Sequence, residues 1–250
     1  MPPIALTIGG SDPSGGAGIQ ADLKTFHQFG VYGASVVTLV TVQNTTRVSH
    51  VEILRADLVS QQIAAVVEDI PPAAAKTGAL GSPEVVHAVA RAAATFSFPL
   101  VVDPVMISKH GARLGGDGIE ELLPYAALVT PNLPEAEALA GTADLRRAAW
   151  RLREMGARAV LIKGGHREGD AVDLLFDGRD FTEFPAPRID TRHTHGTGCT
   201  YSAAITAGMA LGLPLDEAVA RAKRFIHQAI ATNPGLGRGC GPVNHFTEVS

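Results

Sequence analysis

Cysteine is scarce, with Cys199 and Cys240 the two in 250 residues. Two thiols do not make a disulfide framework, and the expected home is a reducing cytoplasm. Basic charge is not in excess either. Lys and Arg number 21 against 25 Asp and Glu, a formal net charge of −4, which argues against a general nucleic-acid binder. The first twelve residues, MPPIALTIGGSD, lack the basic start of a secretory signal. No G-x-x-x-x-G-K-[ST] run occurs, so the chain is not a P-loop protein. His193 and His195 stand two apart without further ligand types nearby, which is not a zinc motif. There is no internal repeat, no charge block and no Ser/Gly linker. One domain over residues 1–250 is the simplest organisation, and a chain of this length buries roughly 70–75% of its unfolded surface without staples.

One stretch without formal charge, the twenty residues Gly196–Leu215, is long enough to span a bilayer. Its glycines, Pro214 and hydroxyl residues argue instead for a buried helix preceded by a glycine-rich loop, apolar on nearly all sides. No membrane association is expected. Elsewhere short apolar runs alternate with amphipathic stretches. Ile4–Ile8, Ser35–Val42, Ala73–Thr77, Leu100–Asp103, Ala126–Thr130 and Ala159–Lys163 read as strands. Ile19–Phe29, the Val59–Ile70 face, the Leu145–Met155 face and the Leu215–Ile230 face read as helices. Ser82-Pro83 supplies an N-cap and a first-turn proline. Asp177-Gly178 between Val172–Phe176 and Phe181–Phe184 predicts a hairpin. This alternation predicts an α/β fold with a mostly parallel central sheet and helices on both faces. Ligands in such sheets sit beyond the carboxyl ends of the strands.

Two glycine loops stand at such ends. Gly9–Gly18 joins the first strand to the first helix and contains Gly16-Ala17-Gly18-Ile19-Gln20-Ala21, a weak G-x-G-x-x-A match. The next strand ends in Gln43-Asn44 rather than an acidic residue, which argues against a nicotinamide site. A flat ligand can approach such a loop closely, with Asp22 one turn further on. The alternative is a tight connection with Asp22 solvated. The second loop, His193–Thr200, precedes the uncharged helix. Gly196, Thr197 and Gly198 at a helix start can aim several N–H groups at one anion, as a transferring phosphoryl group requires. Cys199 lies where the helix field is expected to lower a thiol pKa and make a nucleophile or base. The plainer alternative is a buried, inert cysteine.

Asn132 and Glu135 lie three apart after a strand. They suit either water-mediated Mg²⁺ binding or a reciprocal capping box. Lys163 ends a strand before Gly164-Gly165-His166 and can reach nucleotide phosphates. Asp103 ends another, as a metal or phosphate organiser or as a loop cap. The glycine-rich stretches Ser108–Gly116 and Gly235–Pro242 are candidates for a closing loop.

Taken in order, these segments resemble the ribokinase-like superfamily, and most closely its hydroxymethylpyrimidine/phosphomethylpyrimidine kinases. The resemblance rests on Gly9-Gly10-Ser11-Asp12, Ser14-Gly15-Gly16-Ala17-Gly18-Ile19-Gln20-Ala21-Asp22 and Val42-Gln43-Asn44-Thr45. It continues through Lys76-Thr77-Gly78, Val101-Val102-Asp103-Pro104, Thr130-Pro131-Asn132, Leu161-Ile162-Lys163-Gly164-Gly165-His166 and Thr194-His195-Gly196-Thr197-Gly198-Cys199-Thr200. Gly239, Gly241-Pro242 and Asn244-His245 close the pattern. It implies a three-layer ribokinase-like fold and an ATP- and Mg²⁺-dependent kinase. The acceptor it implies is 4-amino-5-hydroxymethyl-2-methylpyrimidine and then its monophosphate, in thiamine biosynthesis. It maps pyrimidine contacts to Gly10, Ala17, Asp22, Gln43 and Leu80, the last a departure from an expected methionine. It maps the anion hole to Gly196, Thr197, Gly198 and Cys199, with Cys199 as general base. Asp103, Asn132 and Glu135 map to the metal, and Lys163 with Asn132 to the nucleotide. A homodimer is expected. The rival readings are a pyridoxal kinase of the same superfamily, a catalytically silent ligand sensor and a Cys-nucleophile hydrolase.

Overall fold

The computed structural model describes residues 1–107, 111–112, 114–166 and 169–249. Ser108, Lys109, His110 and Arg113, all in the first candidate closing loop, lie outside the described residues. The strands are β1 (Ile4–Ser11), β2 (Tyr32–Asn44), β3 (Arg47–Ile53), β4 (Ala74–Thr77), β5 (Leu100–Val102), β6 (Ala126–Val129), β7 (Val160–Ile162), β8 (Asp173–Phe176) and β9 (Phe181–Phe184). They form one nine-stranded sheet in the order β3-β2-β1-β4-β5-β6-β7-β8-β9. The six inner neighbours from β2 to β7 pair in parallel, and antiparallel strands close both ends.

The helices are α1 (Gly18–Gln28), α2 (Ala56–Asp69), α3 (Pro83–Ala93), α4 (Leu133–Ala140), α5 (Leu145–Glu154), α6 (Thr197–Ala210) and α7 (Leu215–Ala231). The short inner strands β5, β6 and β7 bury nearly every side chain, which is why they read as uninterrupted apolar runs. Alternate residues feed two cores. Ala75, Leu100, Val102 and Val129 meet α2, α3, α4 and α5 on one face. Ala5, Ala74, Val101 and Leu161 meet α1, α6 and α7 on the other. The uncharged run becomes α6, buried along nearly its whole length. No helix among the described residues is long and apolar enough to cross a membrane.

Local chemistry sets the element ends. Ser82 caps α3 by accepting from the Val85 N–H, with Pro83 in the first turn. Asp177 Oδ1 accepts from the N–H groups of Arg179 and Asp180 and makes the β8–β9 turn. The chain runs from β1 to β2 on one side and then crosses to β4 on the other. The carboxyl ends of β1 and β4 therefore form the switch point, where an open α/β sheet leaves a crevice for ligand.

Candidate active site

The first glycine loop is organised by a residue that sequence reasoning passed over. Asp12 is 1% exposed. Its Oδ1 accepts from the Ser14 N–H at 2.8 Å and the Ser14 hydroxyl at 2.7 Å. Its Oδ2 accepts from the N–H groups of Gly16 at 3.1 Å and Ala17 at 2.8 Å and contacts His195 Nε2 at 2.8 Å. Burial works to raise the Asp12 carboxyl, but the bonds from His195 and Ser14 outweigh it and hold it below its ordinary value. The loop delivers Gly18 to the start of α1 at φ +57°, and a Cβ there would collide with the Gly10 carbonyl. Gly10 is buried against Leu39, and Ala17 is half-buried.

The second loop meets the first directly. Gly196 caps α6 at φ 78° without a side-chain bond, and a Cβ on it would strike the Gly16 carbonyl. Only glycine combines that backbone with that approach. Thr197 is used locally, its N–H and hydroxyl both donating to the Thr194 carbonyl. The Thr200 N–H donates to the Gly196 carbonyl. Of the predicted donor set, the amides of Gly198 and Cys199 are left without acceptors among the described residues. Both stand where the helix dipole favours an anion.

Lys163 and Asp103 lie beneath these amides. The Lys163 N–H donates to the Pro131 carbonyl, extending the β6–β7 pairing so that Asn132 and Lys163 stand side by side. Lys163 Nζ bonds Asp103 Oδ1 at 2.8 Å. Burial alone would lower the ammonium pKa, but Asp103 and Glu135 hold it above its ordinary value. Asp103 also accepts from Thr130 at 3.3 Å on Oδ1 and from Ser202 at 3.0 Å on Oδ2. A Cβ on Gly198 would lie 3.5 Å from Lys163 Nζ. An oxyanion held by the α6 amides is thus adjacent to a half-buried, charged ammonium.

Asn132 and Glu135 do form the capping box, each side chain accepting from the other's backbone N–H, at 2.9 and 2.8 Å. Burial pushes the Glu135 carboxyl up, with Lys163 pulling down and Asp103 pushing further up. Two neighbouring carboxylates that repel one another, on an edge lined with oxygen donors, suit Mg²⁺ held largely through water. Among the described residues no group of three His, Cys, Asp or Glu side chains forms a metal cage.

Three expectations meet different surroundings. Asp22 is enclosed rather than solvated. It is 1% exposed, accepting from Lys76 Nζ at 2.8 Å and from the Thr7 hydroxyl at 2.6 Å. Both its oxygens are engaged, because β4 carries Lys76 into the same interior and the ammonium needs a counter-charge. Burial pushes the Asp22 carboxyl up despite that partner. Leu80 is likewise 2% exposed and belongs to the α2–α3 core. Gln43 stays half-buried at a register shift where β2 pairs β3, its amide unbonded among the described residues.

The third correction concerns Cys199. The thiol is pushed up to about 11 rather than down. Burial is the main cause. Asp22 and Asp103 add to it, while Lys76 and the Gly18 N–H oppose it. The magnitudes explain the outcome. A helix terminus is worth about 0.3–1 kcal/mol, under one pKa unit, whereas desolvation moves buried groups by up to about 3–5 units. The same thiol ties the two glycine loops together, since Gly18 begins α1 and Cys199 lies in the first turn of α6.

The second candidate closing loop packs on the β2–β3 turn. The Cys240 N–H donates to the Thr45 carbonyl at 2.8 Å. Cys240 Sγ itself bonds the Arg192 carbonyl at 2.9 Å. Cavities of about 210 and 280 Å³ lie around Leu145, one toward Val172 and Leu174 and one toward Leu133 and Ala136. Neither is lined by Asp12, Lys163 or Cys199.

Residues 12–244 match the family described as phosphomethylpyrimidine kinase. A hydroxymethylpyrimidine/phosphomethylpyrimidine kinase of Rhizobium meliloti is 50% identical over 98% of each chain. A thiamine biosynthesis bifunctional protein of Geobacter sulfurreducens is 51% identical over 96% of this chain and 52% of that protein. Among solved structures, a pyridoxal kinase of Bacillus subtilis in an ADP complex has a TM-score of 0.89 to this chain. The two are 37% identical over 98% of both chains.

Proposed function

The chain belongs to the phosphomethylpyrimidine kinase family, and from that premise we propose that it phosphorylates 4-amino-5-hydroxymethyl-2-methylpyrimidine and then its monophosphate with ATP, in thiamine biosynthesis. The observation that carries this reading is the meeting of the open Gly198 and Cys199 amides with Lys163 at the strand ends. That constellation suits a phosphoryl group in transit better than a static ligand, which tells against a silent sensor. The near-full-length likeness to kinases tells against a hydrolase.

In this mechanism the pyrimidine lies against Gly10, Ala17 and the half-buried Gln43 amide, which reads ring nitrogen and amine together. Asp22 acts from below, keeping Lys76 charged. Lys163 steers the nucleotide phosphates. Asn132, Glu135 and Asp103 would hold Mg²⁺, mostly through water, and the ion when bound neutralises phosphate charge. The alcohol oxygen attacks the γ-phosphorus in line, and the bond to the bridging oxygen breaks. The Gly198 and Cys199 amides hold the phosphoryl oxygens throughout. Cys199 takes the alcohol proton in the first transfer. The second acceptor is a phosphate with a pKa near about 6, already dianionic at neutral pH, and needs no base.

Pyridoxal also pairs a flat ring with a hydroxymethyl group, and the ADP-bound relative is named a pyridoxal kinase. The closer identity to the pyrimidine kinase favours the pyrimidine. We also expect a homodimer, for which Val40 and Val42 stand exposed beside the edge strand, and a reducing compartment, since both cysteines are free. The deciding experiment measures ADP release and identifies products with the pyrimidine alcohol, its monophosphate and pyridoxal as acceptors. Preference for the pyrimidine pair in kcat/KM supports the assignment. Preference for pyridoxal, or no turnover with either pyrimidine, overturns it.

A further inference from the structure

The first loop faces the acceptor in the proposed reaction, and the second faces the migrating phosphoryl group. Their relative position decides whether the two are in line. One buried carboxylate spans both. Asp12 engages the backbone of Ser14, Gly16 and Ala17 on its own loop, and His195 Nε2 on the second loop. The Asp12 N–H is itself fixed by Gln20 Oε1 at 2.9 Å. His195 is 4% exposed and immediately precedes Gly196. It is held in turn by the chain around Pro242, its N–H donating to the Gly241 carbonyl and its carbonyl accepting from the Val243 N–H. The approach leaves no slack, since a Cβ on Gly16 would lie 2.6 Å from His195 Cδ2. The nucleotide side is built around Asp103, which bonds Lys163, Thr130 and, from α6, Ser202, and none of these is a partner of Asp12.

We propose that Asp12 and His195 are a positioning pair. They couple the acceptor loop to the phosphoryl loop and set the in-line geometry without touching either substrate. This rests on the reading of the reaction given above. Misplacing reacting groups by about 1 Å costs on the order of 10²-fold. The pair therefore acts on acceptor KM and on kcat together, and only weakly on nucleotide binding, which rests on Lys163 and Asp103.

The test measures steady-state parameters for both substrates in Asp12→Asn, His195→Ala, His195→Gln and the Asp12→Asn/His195→Ala double variant. Asp12→Asn keeps the shape but turns one acceptor oxygen into a donor facing donors. The single variants Asp12→Asn and His195→Ala should raise acceptor KM and lower kcat, each by about tenfold or more, with ATP KM within about twofold. His195→Gln, whose amide nitrogen mimics Nε2, should recover to within about threefold of wild type. The double variant should fall no more than about threefold below the worse single variant, as partners in one contact do. Multiplying losses, damage confined to ATP KM, or a glutamine variant as poor as the alanine one would overturn the proposal. Hydrogen exchange needs no substrate and separates this proposal from the choice of acceptor. His195→Ala should speed exchange of the Gly16 and Ala17 amides, on the opposite loop, by about tenfold. Unchanged exchange there sinks the coupling whatever the enzyme phosphorylates, and it applies equally if Asp12→Asn does not fold.

Discussion

The proposed base role of Cys199, a thiol pushed up to about 11, can be measured. At pH 7 about one molecule in 10⁴ carries the thiolate, and at pH 8 about one in 10³. If Cys199 deprotonates the alcohol, the first transfer should speed up about tenfold per pH unit between about pH 6.5 and 8.5. The second transfer, onto a phosphate already dianionic, should be flat above about pH 7. Cys199→Ala should slow the first transfer by about 10²–10⁴-fold, the usual worth of a positioned base, and abolish its pH slope. The second transfer should change by less than about threefold. Rapid-quench single turnovers with labelled ATP and excess enzyme separate the steps, because monophosphate and pyrophosphate are counted directly. Equal losses in both steps would refute the base role, as would a slope that survives in the alanine variant.

Other perturbations follow from the same contacts. Lys76→Met leaves the Asp22 carboxyl buried without its ammonium and should cost about 3–5 kcal/mol in urea unfolding; a loss under about 1 kcal/mol would show that the pair is not structural. Burial, with the Lys24 and His195 charges, depresses His245 from 6.5 to about 4. The unfolded chain therefore takes up a proton that the folded chain refuses, and stability present above about pH 6.5 is lost on acidification toward pH 4. That amounts to about 2 kcal/mol between pH 7 and pH 5, which His245→Gln, able to keep a bond to Thr200, should largely remove from a melting series. Gly196→Ala forces a methyl into the Gly16 carbonyl at a positive φ. Both transfers should then fall together by about 10²-fold or more, and a variant that loses only one would show that the two steps do not share the amides.

Much of the layering was legible because the inner strands are buried on both faces and read as apolar runs. The β8–β9 hairpin, the Ser82 cap and the fully buried α6 were readable for equally local reasons. Strand β3 was not. Arg47–Ile53 is polar and mostly exposed, and its conformation comes from pairing with β2 rather than from burial. In the site, glycine spacing pointed to the α6 amides, and the three-residue spacing of Asn132 and Glu135 to their capping box. Asp22 shows where such reading stops. Helical spacing gave the side on which it lies, but not the Lys76 ammonium waiting 54 residues along the chain. A lysine inside the otherwise apolar Ala73–Thr77 strand was the available clue. The Cys199 error has the same origin, since a helix terminus is visible in sequence and the depth of burial around a thiol is not.

The contact from Asp12 to His195 joins positions 183 residues apart, and that separation has a consequence for synthesis. When the ribosome has made the first three-quarters of the polypeptide, the amino-terminal loop has emerged without the imidazole that braces it. The sheet is nearly complete by then, yet the crevice has one wall. A chain arrested before α6 would carry the strands and most helices but neither His195 nor the α6 amides, so the proposed site is completed late.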